Sequence, residues 1–184
     1  MFEQFTKAAR VVVRDGVHIA EQDEAALIEP EHLLLGMLKQ DGTPATAALA
    51  HHAVTTSAAR DAIAATRRRG GLTDADSAAL SEFGIDVDAI VAAVEQTHGE
   101  GALAGTVKRR RTVGPRWRVA FSSDSKRVLQ YSLREAVERG DRSIGDEHVL
   151  LAILRVGGVT ANALESLGVT HQSVRAYLGS ASPR

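Results

Sequence analysis

The chain has 184 residues, 44% of them apolar but only 4% aromatic, with a formal net charge of −1 and no cysteine. That length suits one domain or two small ones around an aliphatic core, and the lack of alternating stretches leans all-α. The charge selects no class of partner; disulfides, thiolate chemistry and Cys-ligated zinc are excluded; and no apolar run approaches the roughly 20 residues that span a bilayer.

The N-terminus, MFEQFTKAAR, carries no apolar segment of the signal-peptide kind, so a cytoplasmic location away from membranes is expected. Phe5, Ala9, Val12, Val13 and Ala20 recur at helical spacing and predict a helix over about 6–20. A second helix starts at Glu29-Pro30-Glu31-His32, with Pro30 expected at the cap position, where proline suits the first turn because it has no amide hydrogen to leave unpaired. Leu33, Leu34, Leu35, Met37 and Leu38 make that helix apolar nearly all round, which places it at the centre of a bundle. A third helix is predicted over 44–51.

Between Leu72 and Glu100 there are seven acidic residues and no Lys or Arg, and Val87, Ile90, Val91 and Val94 give part of this stretch an apolar helical face. GALAGTVKRRRTVGPRWRV follows, with glycines, a proline and six Lys or Arg, and reads as an exposed linker over about 99–118.

Beyond the linker the chain repeats itself. IEPEHLLLGML at 28–38 returns as IGDEHVLLAIL at 144–154, identical at six of eleven positions. At the same spacing of 116, Phe5 falls on Phe121, Arg10 on Lys126, Val12 on Val128 and Ala20 on Ala136. After one deletion, a spacing of 115 aligns Leu49 with Leu164, Val54 with Val169 and Arg60 with Arg175. We read a duplicated unit. The first copy with its extra helical segment (about 72–98) fills 1–98, the basic linker 99–118, and the second copy 119–180. In the second copy helices are expected over 123–139 and 160–166, with Asp146 as the cap of the Glu-His helix and Thr170 capping a last helix to about Leu178.

The opening MFEQFTKAARVVV, the paired EPEHLLLG and GDEHVLLA blocks and the ALESLGV turn resemble the N-terminal repeat domain of the Clp unfoldases of the ClpC and ClpA type. The resemblance covers about two-thirds of the chain and implies an all-α fold of two pseudo-symmetric four-helix repeats. The extra helical and linker insertion between them departs from the family pattern. The resemblance also implies a non-enzymatic protein- or peptide-binding module that receives clients and adaptors for a Clp ATPase and protease, needs no cofactor, and recognises phosphoarginine and cyclic-peptide antibiotics. No G-x-x-x-x-G-K-[ST] phosphate loop is present, so the receptor part is matched without the motor.

Glu31 and Glu147 are the leading candidates. A carboxylate in the first turn of a helix accepts a guanidinium in a two-pronged hydrogen bond, and the resemblance implies that role; the plain alternative is a capping acid. Arg10 and Lys126 suit the phosphate, or are solvated surface charges. Thr6 and Ser122 donate hydrogen bonds to a ligand, or cap the first helix of each copy. Phe2 and Phe121 form an apolar patch rimmed by Arg10 and Lys126, or, for Phe121, fill the core.

The family reads Gly-Thr-Glu-His where this chain has Glu29-Pro30-Glu31-His32 and Gly145-Asp146-Glu147-His148. The threonine hydroxyl is lost from both, and an added acid repels phosphate, which predicts weakened phosphoarginine binding, more so in the first copy. His32 and His148 read as packed histidines bonded to backbone, since one His per helix is no metal constellation and H-E-x-x-H is absent. The alternative function is nucleic-acid binding through Lys108, Arg109, Arg110 and Arg111 with Trp117 stacking on a base. The blander reading, a linker leaning on the acidic segment before it, is favoured.

Overall fold

The computed structural model describes residues 2–104 and 119–181. The first repeat contains α1 (Lys7–Gln22), the short strand β1 (Leu27–Ile28), α2 (Pro30–Met37), α3 (Pro44–His51) and α4 (Thr56–Arg68). The hairpin of α5 (Asp74–Glu82) and α6 (Val87–His98) follows. The second repeat contains β2 (Ala120–Phe121), α7 (Ser123–Arg139), α8 (Asp146–Val156), α9 (Val159–Ser166) and α10 (His171–Ala181). The fold is all-α, two four-helix repeats with a helical insertion between them. No single helix among the described residues is long and apolar enough to cross a membrane.

The repeats are locked by a reciprocal exchange. Ile28 of β1 pairs in parallel with Phe121 of β2, and Phe5 makes a parallel bridge with Ile144. Each pairing is the other one shifted by 116 residues. The amides obey the same symmetry: Thr6 donates to the carbonyl of Ile144 at 2.9 Å, and Ser122 to that of Ile28 at 3.0 Å. The segment entering the first helix of each repeat is therefore held by the segment entering the Glu-His helix of the other.

The apolar α2 and α8 occupy the middle, as a helix without a polar face must. Leu33, Leu34, Met37, Leu150, Leu151 and Ile153 are buried in one continuous core with Val12, Leu49, Val128, Leu164 and Val174. Gly36 of α2 sits against Gly16 of α1, where a Cβ on Gly36 would lie 2.7 Å from the Gly16 amide nitrogen and 2.8 Å from the Val12 carbonyl oxygen. The positions matching them in the second repeat are Ser132 and Ala152, so this glycine-on-glycine contact belongs to the first repeat.

The second repeat has its own device. Glu135 of α7 is fully buried, with one carboxylate oxygen 2.5 Å from Nε of Arg155 and 2.9 Å from Nε2 of His171. The first repeat places buried Ile19 at the matching position. One copy thus joins its helices by a buried charge set where the other uses aliphatic contact.

Some expectations need correcting. Asp146 is not the cap of α8; Gly145 is, and Asp146 is the first helical residue, 1% exposed, just as Glu29 caps α2 and Pro30 is its first helical residue. Ile90 does not share the buried face of α6, which rests on Val87 and Val91 and leaves Ile90 half exposed. Phe121 is half-buried and packed against the core rather than part of an exposed patch, because the exchange strand draws it inward. The side chain of Phe2 lies outside the described residues.

Gly36→Ala forces α1 and α2 apart and is expected to destabilise the protein by about 1–3 kcal/mol. Gly179→Ala, in a helix with no neighbouring atom in reach of the new methyl, is expected to raise stability by up to about 1 kcal/mol. Urea unfolding of the two variants beside the wild type checks both signs.

Candidate functional site

The Glu-His helices start in the same unusual way. The third helical residue, rather than the cap, supplies the side chain that satisfies the helix end. His32 Nδ1 accepts the Glu29 amide hydrogen at 2.8 Å, and His148 Nδ1 accepts that of Gly145 at 2.9 Å. Both imidazoles are buried, and burial lowers both below the ordinary 6.5, so they stand neutral with the proton on Nε2. His148 Nε2 donates that proton to Asp141 at 2.9 Å.

This tautomer bears on metal binding. Asp141, Glu147 and His148 bring ligand atoms within 4.8 Å of one another. With Nδ1 already accepting a backbone hydrogen and Nε2 protonated, His148 has no lone pair to offer a cation, and the trio works as a hydrogen-bonded helix start.

Each histidine follows a glutamate at the second helical position, and there the copies diverge. Glu31 is mostly buried and is gripped by the guanidinium of Arg67, from the last turn of α4. Glu147 has no such partner among the described residues. Its carboxylate curls back over the helix start toward its own backbone amide, and a Cβ on Gly145 would overlap it, which explains a glycine at the cap. Burial, with the charge of Asp146 adding to it, pushes Glu147 up from the ordinary 4.5 to about 7. One acid holds a guanidinium, and the other binds its proton more tightly than an ordinary carboxylate does.

Arg67 comes from a run that motif reasoning passed over, Arg67-Arg68-Arg69, which crowds cations at the C-terminal end of α4 where the helix dipole favours them. Arg68 grips Glu95 of α6 through two bonds of 2.8 and 2.5 Å, while Arg69 reaches Asp74 and Asp88. Three of the acids in the insertion thus find partners upstream, in α4. The position matching Arg67 in the second copy is Ser182, so the repeat comparison itself carried the missed signal.

Glu31 and Arg67 border a groove of about 550 Å³ between α2, α4 and the connection 23–29. Leu27, Leu35, Ile63 and Ala64 wall it. Thr6 and Ser122 use their hydroxyls as caps, accepting the amide hydrogens of Ala9 at 3.2 Å and Ser125 at 3.1 Å. Arg10 and Lys126 are exposed one turn further on, and neither forms an ion pair among the described residues. The strand exchange sets α1 beside the start of α8 and α7 beside the start of α2. Each glutamate therefore shares its end of the molecule with the cap and cation of the other repeat. Lys108, Arg109, Arg110, Arg111 and Trp117 lie outside the described residues.

The Clp repeat (R) N-terminal domain matches residues 4–76 and 120–184, both halves of the exchange. The chain belongs to that family. A chloroplastic chaperone protein ClpC1 of Oryza sativa subsp. japonica is 37% identical over 97 residues, which is 52% of this chain and 10% of that one. A chloroplastic ClpC2 of the same plant is 48% identical over 58 residues, 31% of this chain and 6% of the relative. The chain thus spans a tenth or less of the length of these curated relatives. The N-terminal domain of ClpD, a caseinolytic protease associated chaperone of Arabidopsis thaliana, has the same fold, with a TM-score of 0.55 at 19% identity over 98% of this chain and 95% of that domain. The Hsp104 N-terminal domain of Candida albicans superimposes with a TM-score of 0.55 at 14% identity, over 99% and 95% of the two chains.

The titrating groups work in opposite directions. Glu147 binds its proton more tightly folded than unfolded, so its contribution is full below about 4.5 and is lost as pH rises through about 7. His32 and His148 bind theirs less tightly when folded, so their contribution is present above 6.5 and is lost on acidification below it. Glu147→Gln mimics the protonated acid. Its thermal midpoint should hold steady as pH rises through about 7, where that of the wild type declines, while both still fall in acid; melting curves across this range check it.

Proposed function

We propose that this Clp repeat domain is a non-enzymatic receiver of protein segments, which takes clients or adaptors on behalf of a Clp ATPase and protease. The observation that carries the reading is the pair of equivalent helix starts, each pinned by a neutral buried histidine and each placing a carboxylate beside it. One of those carboxylates already binds a guanidinium. The arrangement recognises an arginine-like group by shape and charge and performs no chemistry on it. Its family membership supports the same reading.

Phosphoarginine is the finer ligand we assign, and Glu147 is the place for it, with Thr6 and Arg10 at the same end. Glu31 is engaged by Arg67, and Glu29 beside it adds a second negative charge, so the first repeat is the weaker phosphoarginine site. Asp146, buried next to Glu147, weakens the second site relative to one with a threonine there. Cyclic-peptide antibiotics and a cytoplasmic setting follow as lesser proposals from the family resemblance.

Calorimetry with free phosphoarginine should show weak binding that Glu147→Ala abolishes; tight binding indifferent to that change ends the assignment. Capture of an unfolded protein should fail when Glu31→Ala and Glu147→Ala are combined, and should survive alanine at Arg109, Arg110 and Arg111. Binding that instead collapses with those arginines, and falls steeply with salt, belongs to nucleic acid.

A further inference from the structure

The groove between α2, α4 and the connection 23–29 contains more than the receiving function uses. Its charged lining is Asp23, Glu24, Glu29 and Glu31 against Arg60 and Arg67, with the buried, neutral His32 behind Glu31. Arg60 is committed to Asp23 at 3.6 Å and Arg67 to Glu31. Glu24 and Glu29 are left with no ion pair among the described residues, so the rim is acidic beyond its own arginines. Between the charges lie aliphatic walls, among them Leu27, 40% exposed, and the buried Ile63 and Leu35. Acidic ends with aliphatic walls complement a cation on a methylene stem.

Arg67 shows what the carboxylate accepts. It projects from the last turn of α4, and its side chain is 27% exposed while that of Glu31 is 12% exposed. The guanidinium therefore reaches in from the edge of the groove and is not sealed beneath other groups. A partly exposed pair of this kind exchanges with an incoming guanidinium at modest expense, because the visitor restores the same bonds that the resident gives up. The position matching Arg67 in the second repeat is a serine, and among the described residues no arginine pairs with Glu147.

We propose that this groove is a binding site for an unphosphorylated arginine side chain of a peptide, and that Arg67 is its built-in competitor, filling the Glu31 carboxylate until such a ligand displaces it. The chemical class follows from the lining. The stem lies along Leu27 and Ile63, the guanidinium meets Glu31, and Glu24 and Glu29 add attraction. A phosphorylated guanidinium brings negative charge to the same two acids and is disfavoured. The proposal rests on the receiver reading only for the source of the arginine. It divides the repeats by ligand, plain arginine to the first and phosphoarginine to the second.

The test is a titration of N-acetyl-arginine methylamide followed by backbone amide NMR shifts of residues 24–35, with the citrulline analogue and free phosphoarginine as comparisons. Arg67→Gln keeps the stem and removes the competing charge. It is expected to bind the arginine probe about tenfold or more tighter than wild type. The citrulline analogue should not bind, phosphoarginine should bind more weakly than arginine at these residues, and adding Glu31→Gln should abolish the gain. Arg67→Lys, which keeps the charge but loses the two-pronged fork, should fall between, and it serves if Arg67→Gln melts early. Equal affinity in wild type and both variants, no binding to either variant, or a preference for phosphoarginine at these residues overturns the proposal. Capture of unfolded protein with no entry of the arginine probe sinks this inference and leaves the receiver reading standing. Entry of the probe without capture does the reverse.

Discussion

Everything in this molecule hangs on two short strand contacts. Phe5 with Ile144 and Ile28 with Phe121 are the same bond made twice across a pseudo-twofold, and together they make each repeat incomplete without the other. Eight-residue helices such as α2 and α3 are marginal alone, since helix nucleation consumes most of what so few hydrogen bonds return. They persist because the exchange brings two apolar helices, α2 and α8, into one shared core. The same contacts fix where the glutamates sit, because each Ile lies three residues before one of them.

Duplication gave the two ends the same frame, and later substitutions gave them different electrostatics. The frame is the neutral histidine at the third helical position, which replaces a side-chain cap and pins the helix start. Upon it, the first repeat carries an arginine reaching from α4, and the second a carboxyl whose hold on its proton burial and the neighbouring Asp146 strengthen. A carboxylate buried without a cation binds its proton more tightly than one in water. The Glu147 carboxylate, curled back over its helix start, accounts for the glycine at 145.

Much of the plan was legible in the chain. The repeated Glu-His block, its apolar run and the matching Phe, Val and Ala positions express periodicity and duplication, which are local and survive as patterns of letters. The histidines were readable as backbone-bonded for the same reason: a lone His at a helix start has few other uses. Less legible was whatever depended on which neighbour arrived. Asp146 has the letter of a cap, yet a histidine two residues on took that role and left the aspartate inside. Ile90 fits the helical face of α6 by spacing, but the hairpin has too little protein behind it to bury that much.

The sequence by itself determined that there are two copies of an all-helical unit and which residues stand at equivalent places, because spacing and side-chain type are properties of the chain alone. Only the tertiary structure decided that the copies interlock by exchanging strands, that Arg67 reaches Glu31 across 36 residues, and that burial pushes Glu147 up to about 7. Those outcomes depend on distance, burial and local dielectric, which no run of residues carries until the chain has closed on itself.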